Sequence, residues 1–328
     1  MVKQKTVRNF FRFLEQKRNE KTPTLIKMII DQERLTPEDL NVDGDLRFDR
    51  FEDSDFSDPM LKAITKLPDN LTVNGTLYIP ETNITELPKN LKVRSLVATY
   101  APLKSLPEDI EFLYELPSLY LNNTNVIGIP KSFTKYVFNR ISLRSVSSFK
   151  FLPDNLEVID ALELFRTGIE KLPNGLKVGS LDIEGTNVSE IPNDIVFDDI
   201  GNMPRLKIDK TRIKAIPDTI KKLFSLSAIG SELEYIPNGF TVGNLDVRGT
   251  NFTEDSIPYN LKVNYFDCFK TPLSETHSSK EVKKLIESKG GRVNHIHWYP
   301  LNETHSSKEV KKLIENKGGK VNFVHWYK

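Results

Sequence analysis

The dipeptide Leu-Pro or Ile-Pro returns along the chain at Leu67, Leu87, Leu106, Ile129, Leu152, Leu172, Ile191, Ile216, Ile236 and Ile257. The intervals are 20, 19, 23, 23, 20, 19, 25, 20 and 21 residues. A period sustained this long marks a stacked repeat, and it constrains the fold more than any other feature of the chain. The clearest units are LPDNLTVNGTLYIPETNITE (67–86), LPNGLKVGSLDIEGTNVSE (172–190) and IPNGFTVGNLDVRGTNFTEDS (236–256). Their common skeleton, LPxxLxVxxLxIxxTxI, contains an apolar–polar alternation in L-x-I, the period-two pattern of a half-buried strand. The Leu-Pro that follows cannot continue a ladder freely, because proline lacks the N–H. Each unit is therefore one short strand, a turn and an extended return. A single unit cannot bury its apolar face; stacked units form a continuous core beneath a parallel sheet.

That reading predicts an inward set of Leu77, Ile79 and Ile84, then Leu119, Leu121 and Val126, then Leu162, Leu164 and Ile169. It continues through Leu181, Ile183, Val188, Leu206, Ile208, Ile213, Leu245, Val247 and Phe252. A small hydroxyl follows the strand at Thr82, Thr124, Thr167, Thr186, Thr211, Thr250 and Thr271, with Ser231 in the matching slot. These are expected to form a buried polar ladder that satisfies the backbone of neighbouring turns. Ala101 and Val146 interrupt it, so local irregularity is expected in those two units.

The skeleton resembles the leucine-rich-repeat pattern LxxLxLxxNxLxxLP. In LTVNGTLYIPETNITELP, Leu77, Ile79 and Ile84 match its apolar positions, and Thr82 stands where that family usually carries asparagine. The short unit with Leu-Pro resembles the bacterial class that includes effectors injected by enteric pathogens. The Thr-bearing V-x-G-x-L-x-I-x-x-T core is similar to repeat proteins of large bacteriophages. The resemblance implies an α/β repeat solenoid with its parallel sheet on one, concave face and mostly extended returns on the other. It also implies a protein-binding scaffold; fold alone does not assign a function.

Three regions follow. Residues 1–34 read as an N-terminal helical cap, with Val7, Phe10, Phe11 and Leu14 at helical spacing. Residues 35–274 form the short-repeat array, opened by a degenerate unit at 35–48 and interrupted by an acidic insert at 49–63. The insert lacks the glycine and terminal glutamate of a calcium-binding EF-hand loop. Residues 275–328 change period: ETHSSKEVKKLIESKGG recurs 28 residues later as ETHSSKEVKKLIENKGG. Ser278 with Glu281, and Ser306 with Glu309, form capping-box patterns, and the Gly-Gly pairs end the helices. Helix–strand repeats are expected to close the solenoid there.

Charge excludes some functions. The 46 Lys and Arg against 45 Asp and Glu argue against a nucleic-acid coater, and no nucleic-acid partner is expected. No apolar run is long enough for a membrane span. The one cysteine rules out a disulfide framework within the chain, and a cytoplasmic setting is expected. The basic 1–30 segment admits both a solvated cap helix and a membrane-surface helix. The sequence leaves the oligomeric state open.

No catalytic constellation emerges: there is no Walker-type loop and no G-x-S-x-G elbow. The expectation is a chain without enzymatic activity or cofactor. Cys268 falls at an inward position. The sharpest chemical alternative is a metal site, and with it a metal-dependent enzyme, at His295, His297 and His325. Alternation puts His295 and His297 on one sheet face, the 28-residue repeat sets His325 beside His297, and Asp267 is expected beside His295. An aromatic recognition patch is the other reading of that cluster.

The outward sheet positions supply candidate partner-binding residues: Tyr78, Tyr120, Asn122, Arg144, Glu163, Phe165, Asp182, Glu184, Asp209, Asp246 and Arg248. Tyr78, Tyr120 and Phe165 lack a core role, and the carboxylates form a band suited to a polypeptide with basic and apolar groups. The expected partner is a protein. For a phage protein it would be a host factor or virion component; for an injected bacterial effector, a host protein.

Overall fold

The computed structural model describes residues 28–29, 35–48, 62–198 and 204–297. Nearly all of the expected N-terminal cap, most of the acidic insert and the second C-terminal copy with His325 lie outside these residues.

The described strands make one sheet, and every pairing in it is parallel. Its main path runs from β1 (Asn41–Val42) through β3 (Thr72–Tyr78), β4 (Lys92–Val97), β6 (Ser118–Tyr120) and β7 (Val137–Ser142). It continues through β8 (Glu157–Glu163), β9 (Lys177–Asp182), β11 (Arg205–Lys207), β12 (Lys222–Ser227) and β13 (Thr241–Asp246) to β14 (Lys262–Asp267) and β15 (Arg292–His297). Off that path, β2 (Leu46–Arg47) pairs β3, β5 (Glu111–Phe112) pairs β4, and β10 (Val196–Phe197) pairs β9. This is a leucine-rich-repeat-like solenoid, one strand per unit, with few helices.

The uneven period has a structural cause. In two units the described strand comes in two pieces: β5 ends at Phe112 and β6 begins at Ser118, and β10 ends at Phe197 and β11 begins at Arg205. These are the units that lengthen two of the Leu-Pro intervals to 23 and 25 residues. Just before each second piece a proline carbonyl re-enters the ladder: Asn139 N–H donates to Pro117 O at 2.8 Å, and Phe224 N–H to Pro204 O at 2.7 Å. Proline suits this entry point, since only its acceptor is needed. The other 23-residue interval holds a 3₁₀ helix, Lys131–Lys135, whose Phe133 is buried. Phe133 packs with Phe112 and Phe138, which themselves meet edge to face at a centroid distance of 5.3 Å.

The inward set read from the repeat is buried in full, from Leu77 to Phe252. The hydroxyl positions are buried too, but they act differently from the expected ladder. Thr82 Oγ1 donates to Ile79 O at 2.9 Å, and Thr124, Thr167, Thr186, Thr211, Ser231, Thr250 and Thr271 each donate to the carbonyl three residues before. Each hydroxyl closes its own turn. At Ala101 the backbone closes the turn alone, its N–H donating to Ala98 O at 3.0 Å, and the Ala101 and Val146 side chains are both buried.

The ladder between units lies instead at the turn after Leu-Pro. Asp69 Oδ1 accepts from Lys89 N–H, Asp154 Oδ1 from Asn174 N–H and Asn238 Oδ1 from Tyr259 N–H, each at 2.9 Å. Asp109 and Asp194 reach the other way, capping Asn90 and Gly175 of the preceding unit. The residue that follows in this turn takes positive φ, at Asn70, Asn90, Asn155, Gly175, Gly239 and Asn260. Asparagine and glycine tolerate this region best, which explains their recurrence there.

At the C-terminal side, α1 (Pro272–Thr276) and α2 (Ser279–Ser288) replace the extended return. The Ser278–Glu281 capping box forms as expected, and Val282 and Ile286 are buried. The short α1, capped by Thr271, extends beyond what the sequence pattern predicts. Among the described residues no helix is long and apolar enough to cross a membrane.

Candidate partner-binding face

Parallel pairing in register turns equivalent residues into columns across the sheet. One column runs Tyr78, Val97, Tyr120, Ser142, Glu163, Asp182, Lys207, Ser227, Asp246, Asp267 and His297, each Cα opposite the next. The next column, just past the strand ends, holds Asn122, Arg144, Phe165, Glu184, Asp209 and Arg248. The partner-binding candidates read from the sequence therefore share one face of the sheet.

Their exposure differs from the expectation. Asp209 is buried, at 5% exposure. Its Oδ1 accepts from Ser227 Oγ at 2.6 Å and from Ile229 N–H at 2.8 Å. Asn122 makes the same pair of bonds four units earlier, with Ser142 Oγ and Arg144 N–H, each at 2.8 Å. Asp182, Asp246 and Asp267 instead accept from an amide two residues on, at Glu184, Arg248 and Phe269. These side chains satisfy turn amides that the ladder leaves open. The acidic band is thus partly an internal scaffold for the turns, which spacing alone does not reveal.

Several of the remaining charges are paired locally. Glu184 is bonded by Lys207 at 2.6 Å and faces Lys210 at 3.5 Å. Arg248 lies on both oxygens of Asp246 and reaches Asp267 at 3.5 Å. Arg140 bonds Asp160 at 2.6 Å and Glu163 at 2.8 Å, and Glu163 in turn accepts from Ser142 Oγ. Arg140 belongs to a third outward column, with Ser180, Arg205, Ser225, Asn244, Tyr265 and His295, absent from the sequence reading. The signal was present as the V-x-x-L spacing: the two inward residues of β14, Val263 and Phe266, stand three apart, leaving two outward positions between them.

Burial sets the titration of this face. It pushes the Asp182, Asp209 and Asp267 carboxyls above their ordinary value, against the pull of their amide and hydroxyl donors. Glu184 goes the other way: burial raises it, but the Lys207 hydrogen bond and the charges of Lys207 and Lys210 outweigh that and hold it low. The aromatics are dressed by cations. The Arg47 guanidinium lies 3.8 Å from the Tyr78 ring centre, and those of Arg144 and Arg166 lie 5.3 and 4.8 Å from that of Phe165.

At the C-terminal end, His295 and His297 are both exposed on the outward face. The register corrects their neighbours: Asp267 pairs with His297, while His295 pairs with Tyr265 and stacks on it at 5.0 Å. A tyrosine stands where a carboxylate was expected, because Asp267 belongs to the column after Phe266. Among the described residues no group of three His, Cys, Asp or Glu is placed to hold a metal ion. Cys268 is buried, and burial pushes its thiol up to about 12, the state of an inert core cysteine.

No protein-family model matches the chain, and no curated protein matches it. Among solved structures, a leucine-rich-repeat protein of Leptospira interrogans aligns at 13% identity over 77% of this chain and 95% of its own, with a TM-score of 0.22. The assignment of the solenoid rests on the register and burial described above.

Proposed function

We propose that this chain is a non-catalytic protein-interaction scaffold that holds one macromolecular partner on its concave sheet face. The observation that carries the reading is the row of register-matched outward columns from Tyr78 to Asp267, whose polar side chains are already bonded to the turns and to one another. A surface organised in advance loses little side-chain entropy on binding. Solenoids use this face for partners because it is the one extended, rigid surface the repeat creates. Tyr120, Phe165, Arg144 and Arg248 supply aromatic and guanidinium groups, the types that dominate binding energy at protein interfaces. The Thr-bearing repeat supports a phage-encoded protein working in the host cytoplasm or in the virion, on a host factor or a virion component; an injected bacterial effector is the alternative setting.

Affinity capture from lysate of the source and of any host, followed by mass spectrometry, tests this. The comparison is wild type against Tyr120→Ala/Arg144→Ala/Phe165→Ala, which spares the bonds of Asp209 and Glu184. A partner held by wild type and lost by the triple variant is the expected result. A partner held equally by both would refute the sheet-face assignment.

A further inference from the structure

A second feature lies toward the N-terminal ends of the strands, bordering the third outward column and apart from Tyr120, Arg144 and Phe165. A groove of about 520 Å³ crosses β12, β13 and β14 as far as the start of β15. Pro204, Phe224, Gly243 and Asn264 are among its lining residues. Lys222, Lys262 and Arg292 are all among its lining residues, and register aligns them with Thr241 in one row. Among the described residues no carboxylate lines it. Elsewhere on this sheet cations sit on acids, as at Lys207 and Arg248. Lys262 and Arg292, by contrast, make no ion pair with a described residue, and both are exposed.

We propose that this groove binds an extended polypeptide segment in which acidic side chains flank an apolar one. Lys262 and Arg292 supply the charge complement, and the half-buried Phe224 the apolar contact. Length agrees: three strand spacings of about 4.8 Å span roughly 14 Å, the reach of about four extended residues. A nucleic acid fits less well, because the Arg205 guanidinium already lies 5.1 Å from the centre of the Phe224 ring and covers the face on which a base would stack. Asn264 Oδ1 accepts from Asn294 at 3.1 Å, which turns its own amide nitrogen into the donor left for a ligand carbonyl.

The test uses the full chain and a fluorescein-labelled Glu-Leu-Glu-Leu-Glu peptide, followed by anisotropy. Wild type should bind it, and Lys262→Glu/Arg292→Glu should bind at least tenfold more weakly while gaining affinity for Lys-Leu-Lys-Leu-Lys. Circular dichroism confirms folding of the variant, and the milder Lys262→Gln should fall between the two. Equal binding by wild type and the reversal variant, equal binding of a leucine-free pentaglutamate, or tighter binding of a five-base oligonucleotide would each overturn the proposal. The sheet-face variant Tyr120→Ala/Arg144→Ala/Phe165→Ala should bind the peptide as wild type does, so failure here leaves the sheet-face reading standing, and the converse.

Discussion

The hydroxyl that closes each turn is small in energy but repeated. Thr186 Oγ1 donates to Ile183 O at 2.8 Å, while Thr186 N–H reaches the same carbonyl at 3.2 Å. Thr186→Val removes one bond and leaves the other, as Ala101 does naturally. The expected cost is about 1 kcal/mol in a denaturant titration, with the turn retained. Asp209 offers a sharper case. Burial raises its folded-state pKa, so the stability its protonation contributes is full below the ordinary value near 3.9 and is lost as pH rises through the folded value. At neutral pH the ionised carboxylate is therefore a liability. Asn122 already shows that an amide makes the same two bonds. Asp209→Asn should raise the denaturation midpoint at pH 7, and the advantage should vanish below about pH 4. A midpoint lowered at pH 7 would mean that the Lys207 contact at 3.9 Å outweighs the burial cost.

At the scale of elements, the period and its alternation made the strands and their inward residues legible, down to Phe252 and Cys268. Three things were not legible. The two-piece strands β5–β6 and β10–β11 were hidden because extra residues lengthen an interval without showing where they fall. The inter-unit ladder was assigned to the threonines, since their recurrence is stricter than that of the Asp and Asn after Leu-Pro. The third outward column was missed because alternation implies one outward residue where the strand carries two. Register slips confirm how tightly these columns are held. In β8 an extra residue between Val158 and Ala161 shifts the pairing with β9, and its Ile159 carbonyl presses on Gly179. A methyl group at Gly179 would run into that oxygen, so Gly179→Ala should destabilise the protein by about 1–3 kcal/mol, read as a lower unfolding midpoint.

For the molecule as a whole, the outward face lets function be separated from stability. The candidate site was legible as a list of positions, all of which share one face, but the sequence could not tell which carboxylates are spent on turn amides. Those with the heaviest internal duties, Asp209 and Glu184, are poor places to probe binding. Tyr120, Phe165 and the exposed Arg144 are better, and the single cysteine makes them measurable. Cys268 is at 0% exposure and its thiol is held as the unreactive neutral form, so it should stay silent to a maleimide. The most direct measurement places one new cysteine at a time on the sheet face, as Tyr120→Cys, Phe165→Cys or Arg144→Cys, and on the return side, as Glu86→Cys, Lys171→Cys or Glu190→Cys. Labelling rates are then compared with and without the captured partner. Slowing at the three sheet-face positions, with the return-side rates unchanged, is the predicted result. Protection on the return side, or no protection at any sheet-face position while the partner is bound, would contradict the account.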